Sequence, residues 1–453
     1  MESINSKPTE PLLLSLFLKS RKVKEVERES RVQLDGVNIE SYSGYITVDE
    51  RLDKNLFFWF FPAAKIEPKD APLVLYLNGG PGYSSLVGLF AEIGPFTVDK
   101  DLNIQMADFP WTDTFNVLFV DNPVFVGFSY AKPGHEPKDM NTISDDLYSF
   151  LMQFFKLYPK YEGCDFYIGG QSYAGKYVVS LASKIHSQLE GQDSEISFTL
   201  KGIYIFSGFL EPFQMLQSYP HLLLSLGMIS QTRAQRLGEA ITCGIHKHGM
   251  QDNQEEATKD ILEAVFTQIQ NITGFETLNC ALYTKDYDWH FEKYLNKPEV
   301  QHAIHARASE FSMNSLGTIM HMAEDFGKGV SSELKSLLEH YKFFVNNVRK
   351  VSIIKALVCP QVLLVSGQMD ILVSVPMIEN FLHSLNWSGE SQYLAADKVV
   401  WKAADREVAG YVTEVKNLTR VVVRNAGHRI AFDQPKWTLE MMTKFVNDQS
   451  FVH

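Results

Sequence analysis

The feature that most constrains this chain is a predicted strand that enters a helix through a turn of small residues around one serine. Residues 166–175 read Phe-Tyr-Ile-Gly-Gly-Gln-Ser-Tyr-Ala-Gly, and the apolar pattern after them is typical of a helix. A sharp turn of this kind needs small neighbours, because it holds the serine Oγ clear of the sheet and aims the next N–H at the same space. The pattern predicts Ser172 as a nucleophile, although a serine among glycines is more often a plain turn.

Other buried runs alternate with helical patterns along the chain. The predicted strands lie at 42–48, 55–61, 73–77, 116–120, 166–169, 202–206, 361–366 and 419–424. Such alternation predicts a mostly parallel sheet flanked by helices. The alternation stops after Gly208 and resumes near Gln361. We therefore predict an α/β core formed by residues 1–209 and 351–453, with an inserted, mainly helical cap at 210–350.

The order of residues along the chain identifies partners for the serine. In α/β-hydrolases an acid and then a histidine follow the nucleophile, each in a loop after a core strand. Asp370 follows the run 362–367, and His428 follows the strand at 420–424. Asp121 also ends a strand, but it precedes Ser172. The order predicts an α/β-hydrolase fold with a triad of Ser172, Asp370 and His428.

A glycine-rich turn, Asn-Gly-Gly-Pro-Gly at 78–82, follows the strand at 73–77. Glycines let a backbone N–H approach a developing oxyanion closely, which acyl transfer requires. The alternative is a turn without chemistry. A phosphate-binding loop is disfavoured because no Gly-Lys-Ser/Thr follows.

Several motifs together resemble the serine carboxypeptidase family. They are Asn-Gly-Gly-Pro-Gly-x-Ser-Ser at 78–85, Asp-Asn-Pro-Val-x-x-Gly-Phe-Ser-Tyr at 121–130, Ser-Tyr-Ala-Gly-Lys-Tyr at 172–177, Gly-x-x-Asp at 367–370 and Ala-Gly-His at 426–428. Residues 56–63 and 407–411 are similar to the vitellogenic carboxypeptidase-like branch. The resemblance covers nearly the whole chain and is weakest in the middle third.

The resemblance implies a serine-type carboxypeptidase that releases C-terminal residues from peptides through an acyl-enzyme. By resemblance, the N–H groups of Gly80 and Tyr173 form the oxyanion hole. Asn78, Glu92 and Gln171 occupy the positions that hold the substrate's free C-terminal carboxylate.

Three positions depart from the family pattern. Gln171 stands where the family usually has Glu, and its amide donates hydrogen bonds at any pH. Tyr83 replaces a cysteine whose disulfide usually anchors the oxyanion loop, and Phe125 stands where glycine is common. None of these changes removes a triad residue.

Two other functions remain open at this stage. One is a catalytically weak or inactive relative with a binding or storage role, which Tyr83 and Gln171 favour and the complete triad opposes. The other is acyl transfer to small molecules. Asn78 and Glu92 favour peptides over that reaction, because acyl donors lack a free carboxylate.

Composition excludes several partner classes. A formal net charge of −12 argues against nucleic acid or an anionic membrane as the main partner. No apolar run is long enough to cross a bilayer, so no transmembrane segment is expected. His246 and His248 resemble a metal pair, but we interpret them as part of a solvated loop. No metal or cofactor is expected, and the sequence leaves the oligomeric state open.

The resemblance implies a secreted or lysosomal/vacuolar protein, although the apolar run at 12–18 lacks the flanks of a signal peptide. Asn271, Asn386 and Asn417 begin glycosylation sequons. Cys243 and Cys280 both fall in the variable middle region and are a possible disulfide pair.

Overall fold

Ten strands form one large sheet in the computed structural model, which describes residues 10–189, 196–339 and 361–451. The strands of the structure are β1 Tyr42–Asp49, β2 Lys54–Phe61, β3 Leu73–Leu77, β4 Phe96–Val98, β5 Ile104–Met106, β6 Asn116–Val120, β7 Asp165–Gln171, β8 Thr199–Phe206, β9 Gln361–Gly367, β10 Val399–Lys402, β11 Val408–Val415 and β12 Leu418–Val423. The sheet order is β1-β2-β6-β3-β7-β8-β9-β12-β11-β10, and β4 pairs with β5 separately. The six central strands, β6, β3, β7, β8, β9 and β12, are parallel to one another. The strands at the two edges, β1 and β2 on one side and β11 and β10 on the other, are antiparallel to their neighbours.

Helices flank this sheet and fill the long connection between β8 and β9. The α-helices are α1 Ser15–Lys19, α2 Val26–Glu29, α3 Leu86–Ala91, α4 Met140–Leu157, α5 Ala174–Leu189, α6 Pro212–Leu216, α7 Tyr219–Ser225, α8 Gln231–His248, α9 Gln254–Thr273, α10 Phe291–Leu295, α11 Pro298–Ala303, α12 Leu316–His321, α13 Ala323–Phe326, α14 Ser331–Glu339, α15 Val375–Ser384, α16 Glu390–Ala395, α17 Ile430–Asp433 and α18 Pro435–Val446. Short 3₁₀ turns occur at Val23–Glu25, Trp111–Asp113 and Pro159–Tyr161.

The period-two alternation of strand side chains divides the core into two layers. From β2, Phe58 and Phe60 pack on Phe150 and Phe154 of α4. The intervening Trp59 lies on the opposite face and packs against Phe90 of α3. Helices α4 and α5 therefore cover one face of the sheet, and α3 and α18 cover the other.

The predicted fold class is confirmed. The predicted strands at 73–77 and 116–120 coincide with β3 and β6, and the other predicted strands lie within a few residues of observed ones. The prediction missed β4, β5, β10 and β11, which are short or lie at the antiparallel edge. The described residues between β8 and β9 form helices without strands. The predicted cap boundary at 350/351 lies outside the described residues, so the division into core and cap stays a prediction.

Three smaller predictions need correction. Cys243 and Cys280 are free thiols, one exposed on α8 and the other buried, so they do not form the predicted disulfide. Asn271 and Asn386 are exposed, whereas Asn417 is buried and donates from Nδ2 to the Leu337 carbonyl oxygen at 3.3 Å. Asn417 is therefore not accessible for glycosylation in the folded chain. His246 and His248 lie in the last turn of α8 rather than in a loop.

Candidate active site

Ser172 lies at the carboxyl end of β7, in the turn that leads into α5. Its φ is 61°, a left-handed conformation that is rare for residues other than glycine and is typical of strained functional turns. Its N–H donates to Phe206 O at 2.9 Å, and its carbonyl oxygen accepts from the N–H groups of Gly175 and Phe209, both at 3.0 Å. A Cβ at Gly170 would lie 2.7 Å from the Ala174 Cβ, which explains why small residues flank the serine.

Asp370 and His428 meet at the same edge of the sheet, because they follow the adjacent parallel strands β9 and β12. His428 Nδ1 lies 2.9 Å from Asp370 Oδ2, and both side chains are buried. Asp370 Oδ1 accepts from the Val373 N–H at 2.9 Å, so both carboxylate oxygens are fixed. The carboxylate can therefore orient the imidazole with Nδ1 protonated, which leaves Nε2 free to act as a base.

Gln171, the residue before Ser172, connects this histidine to the glycine-rich loop. Its Nε2 donates to the carbonyl oxygen of His428 at 2.9 Å, and its Oε1 accepts from Asn78 Nδ2 at 3.3 Å. Asn78 Oδ1 accepts in turn from the Gly88 N–H at 2.8 Å. Because a backbone donor and a backbone acceptor lie at the two ends, this chain of bonds fixes the orientation of both amide groups.

The oxyanion loop, residues 78–85, packs directly on the serine turn. A Cβ at Gly79 would lie 2.6 Å from both Gln171 O and Tyr173 N, so only glycine allows this approach. Gly80 has φ of 113°, a conformation that favours glycine. Neither the Gly80 nor the Tyr173 N–H has a hydrogen-bond acceptor within the described ranges. The two predicted oxyanion donors are therefore available to a ligand.

Backbone contacts with residues 313–315 hold the oxyanion loop at the position where the family pattern has a disulfide. Tyr83 forms an isolated antiparallel bridge with Asn314. Ser84 N–H donates to Met313 O at 2.9 Å, and Ser315 N–H donates to Gly82 O at 2.8 Å.

Buried Asp121 also stabilises the oxyanion loop, because its Oδ1 accepts hydrogen bonds from the Ser84 hydroxyl and the Ser85 N–H. Desolvation raises the pKa of Asp121 to about 7. Asp121 was rejected as the triad acid by chain order, and this structural contact accounts for its place at a strand end. Phe125, the third departure from the family pattern, has φ of 69°, which explains why glycine is favoured at its position.

Glu92 directly follows α3 and interacts with Asn78. Its Oε2 accepts a short hydrogen bond from the Tyr76 hydroxyl. Burial raises the pKa of Glu92, and this effect outweighs the opposing influence of Tyr76, Arg429 and His428. A carboxyl group of this kind retains its proton at higher pH than an exposed glutamate does.

Sequence reasoning missed two supporting contacts. Lys176 of α5 is 1% exposed, and its Nζ donates to the carbonyl oxygens of Asp325 at 3.1 Å and Phe326 at 2.9 Å. Desolvation lowers the pKa of Lys176 to about 7. The second contact holds the loop of the histidine: the His428 N–H donates to Asn279 O at 2.6 Å. A lysine one turn after the serine was the only sequence signal for the first contact, and the second had none.

Comparison with known proteins shows which family this chain belongs to. The sequence profile of the serine carboxypeptidase family matches residues 32–448. The chain belongs to this family. The probable serine carboxypeptidase CPVL of Mus musculus is 36% identical over 465 residues, which cover 99% of this chain and 92% of that protein. The vitellogenic carboxypeptidase of Aedes aegypti is 31% identical over 453 residues, covering 97% of this chain and 90% of that protein.

A solved structure shares the fold of this serine carboxypeptidase-family chain. Kex1(Δ)p, described as a prohormone-processing carboxypeptidase from Saccharomyces cerevisiae, aligns with a TM-score of 0.78 at 21% sequence identity. The alignment covers 93% of this chain and 96% of that one. The family, the branch, the α/β-hydrolase fold and the serine-type carboxypeptidase class of hydrolase predicted from the sequence are therefore confirmed, and the family acts on peptides. No described helix is both long enough and apolar enough to cross a membrane.

Proposed function

We propose that Ser172, His428 and Asp370 carry out hydrolysis of the last peptide bond of substrates that have a free C-terminal carboxylate. The observation that carries this proposal is the 2.9 Å contact between His428 Nδ1 and Asp370 Oδ2. In addition, the carbonyl oxygen of His428 accepts a hydrogen bond from Gln171, the residue before Ser172. The general base is thus oriented and tied to the nucleophile's own turn.

The reaction proceeds in two steps. Ser172 Oγ attacks the carbonyl carbon while His428 Nε2 takes the hydroxyl proton, and the N–H groups of Gly80 and Tyr173 stabilise the oxyanion. The same proton then passes to the departing amine, which leaves as the C-terminal residue, and an acyl-enzyme remains. A water molecule, deprotonated by His428, hydrolyses that ester and restores Ser172.

The substrate carboxylate is held by Asn78, Glu92 and Gln171. Glu92 contributes a hydrogen bond while it is protonated, and burial extends the pH range of that form. Gln171 has one N–H directed to His428 O and a second N–H that remains for the substrate at every pH. Residues 210–350 act as the cap and shape the pocket for the departing residue.

We also propose that the protein is secreted or lysosomal. Two of the three sequons, at Asn271 and Asn386, are exposed and accessible to modification. Mass spectrometry of natural material should find glycans on these asparagines and none on Asn417. Unmodified Asn271 and Asn386 would contradict passage through the secretory pathway.

The decisive experiment combines labelling and substrate choice. A serine-directed phosphonate should label Ser172, with peptidase activity lost in proportion to labelling, and Ser172→Ala should lose several orders of magnitude in kcat while remaining folded. A peptide with a free C-terminus should be cleaved much faster than its amide. Near-normal turnover by Ser172→Ala would remove the proposed nucleophile. Equal rates for acid and amide would indicate an endopeptidase or esterase.

A further inference from the structure

Arg429, the residue after His428, has an unsatisfied guanidinium beside the active site. Its side chain is 12% exposed, and its Nη1 is buried without a hydrogen-bond partner among residues 10–189, 196–339 and 361–451. Its Nη2 has one distant ion-pair partner, Asp286 Oδ2, at 3.9 Å. A buried guanidinium normally has its N–H groups occupied by acceptors, because an unpaired donor loses its hydration without compensation.

The nearby carboxylates are engaged by other donors. Both oxygens of Asp286 accept from Asn279 Nδ2, at 3.0 and 2.8 Å. Asp433 Oδ2 accepts from the Gly427 N–H at 2.7 Å. The acceptor atoms of these two carboxylates are therefore used by other donors, and Arg429 Nη1 keeps no acceptor of its own among the described residues.

A second unpaired donor lies under the guanidinium. Arg429 stacks on the ring of Trp289 with its Cζ 5.2 Å from the ring centroid, and Trp289 also contacts Phe432. Trp289 Nε1 is buried and, like Arg429 Nη1, has no partner in the described part of the chain. Both groups can only donate, so a ligand that satisfies them must offer acceptors.

Both donors are connected to Glu92, one of the residues proposed to hold the substrate's C-terminus: the charge of Arg429 opposes the rise in the pKa of Glu92, and Trp289 shares a cavity with it. Trp289 and Glu92 line the same cavity of about 330 Å³, whose walls include Phe90, Met106 and Phe432. Arg429 is not itself a wall residue of this cavity, but its guanidinium stacks on Trp289, which is one. A cavity with aromatic walls, a carboxyl group at its edge and a cation held against one wall can take a small anionic group.

We propose that Arg429 is a specificity-determining residue that binds a carboxylate of the substrate's C-terminal residue. This inference rests on the proposed carboxypeptidase function. Guanidinium and carboxylate form paired, charge-assisted hydrogen bonds, and the stacked ring holds the guanidinium plane in place. The C-terminal residue offers two such groups: its α-carboxylate and, in Asp or Glu, its side chain.

Four N-blocked dipeptides that share the same first residue distinguish the two carboxylates. They end in Leu, Leu-amide, Glu or Gln, and kcat/KM is measured for the wild type and for Arg429→Met. If Arg429 binds the α-carboxylate, the Leu to Leu-amide ratio falls about tenfold or more, and the Glu to Gln ratio is unchanged. If it binds the side chain, the Glu to Gln ratio falls by that factor, and the Leu to Leu-amide ratio is unchanged.

Arg424→Met is the matched control. Arg424 also stacks on a tryptophan, Trp437, at 5.6 Å, and it pairs with Glu407 at 3.7 Å. Removing this guanidinium should leave both ratios unchanged. Arg429→Lys retains the charge without the forked geometry, so it should give an intermediate ratio even if the methionine variant folds poorly. Because each readout is a ratio within one preparation, the folded fraction cancels.

This inference can fail alone or together with the proposed function, and the two cases give different results. If the wild type prefers free acids to amides and both ratios survive Arg429→Met within twofold, the assignment of Arg429 is wrong and the carboxypeptidase proposal stands. If the wild type cleaves none of the four dipeptides, both proposals are overturned.

Discussion

Replacing Gln171 by glutamate should convert a pH-independent contact of His428, the proposed general base, into a pH-dependent one. In the wild type, Gln171 Nε2 donates to the His428 carbonyl oxygen at 2.9 Å, and Oε1 accepts from Asn78. A protonated carboxyl group retains both bonds, because its hydroxyl donates and its other oxygen accepts. An ionised carboxylate loses the donor and places negative charge against a carbonyl oxygen.

The size of the effect follows from burial. Gln171 is 5% exposed, so the His428 carbonyl oxygen would be left unsatisfied at a cost of about 1–3 kcal/mol. If this cost falls on the positioning of His428, kcat/KM drops by about tenfold for each 1.4 kcal/mol. Burial should raise the pKa of the introduced carboxyl group. The variant should therefore approach wild-type activity in acid and lose activity as pH rises through that pKa, so the wild-type optimum lies at higher pH.

The assay is the pH dependence of kcat/KM for a free-acid dipeptide with both enzymes. Gln153→Glu is the matched control, since Gln153 also accepts at Oε1, from Ser15, and donates from Nε2 to the Thr47 carbonyl oxygen at 2.8 Å, but on α4. That variant should lose stability without a change in the shape of the pH profile. If the profiles of the wild type and Gln171→Glu coincide after scaling, residue 171 does not couple protonation to catalysis and the reasoning fails.

Three further changes test the remaining supports of the site. Asp370→Asn should lower kcat by about 10⁴-fold in steady-state assays with little change in Tm. A small decrease in kcat would show that Asp370 does not orient His428. Gly79→Ala should abolish activity because its Cβ would lie 2.6 Å from Tyr173 N, whereas Gly163→Ala, with no atom within 4 Å, should be active. The pKa of Lys176 falls from 10.5 to about 7 on folding, so the unfolded chain binds more protons between these values. The wild type should gain stability relative to Lys176→Met from pH 7 to 10 in urea unfolding, and a constant difference would contradict this linkage.

The parallel core and the order of the site residues could be predicted because local patterns specify them. Strands buried on both faces give continuous apolar runs, and β3 and β6 were predicted residue for residue for that reason. The position of Ser172 on a tight strand-to-helix turn followed from the small residues that such a turn requires. Asp370 and His428 followed from chain order, because loops after parallel strands converge at one edge of a sheet.

Contacts between residues far apart in sequence could not be predicted in this way. The disulfide prediction failed because proximity within a variable region says nothing about which side of a helix a thiol occupies. A sequon is equally silent about burial, so Asn417 was not distinguished from Asn271 and Asn386. For Gln171, the resemblance implied the substrate carboxylate as partner, whereas the structure also gives its amide a backbone partner on His428.

The oxyanion loop shows how a lost covalent constraint can be replaced by distributed contacts. With Tyr83 in place of cysteine, the sequence predicted only that an anchor was missing. The structure supplies an antiparallel bridge between Tyr83 and Asn314, made of two backbone hydrogen bonds that join residues 82–84 to 313–315. Because these partners belong to the connection between β8 and β9, docking of that connection helps to hold the loop that carries the Gly80 N–H. Helix α5, which follows the turn that carries Ser172, is held to the same connection by the hydrogen bond from Lys176 Nζ to the Asp325 carbonyl oxygen. Both proposed oxyanion donors are therefore supported by contacts with the connection between β8 and β9, so substitutions that loosen its docking should reduce catalysis before they unfold the sheet.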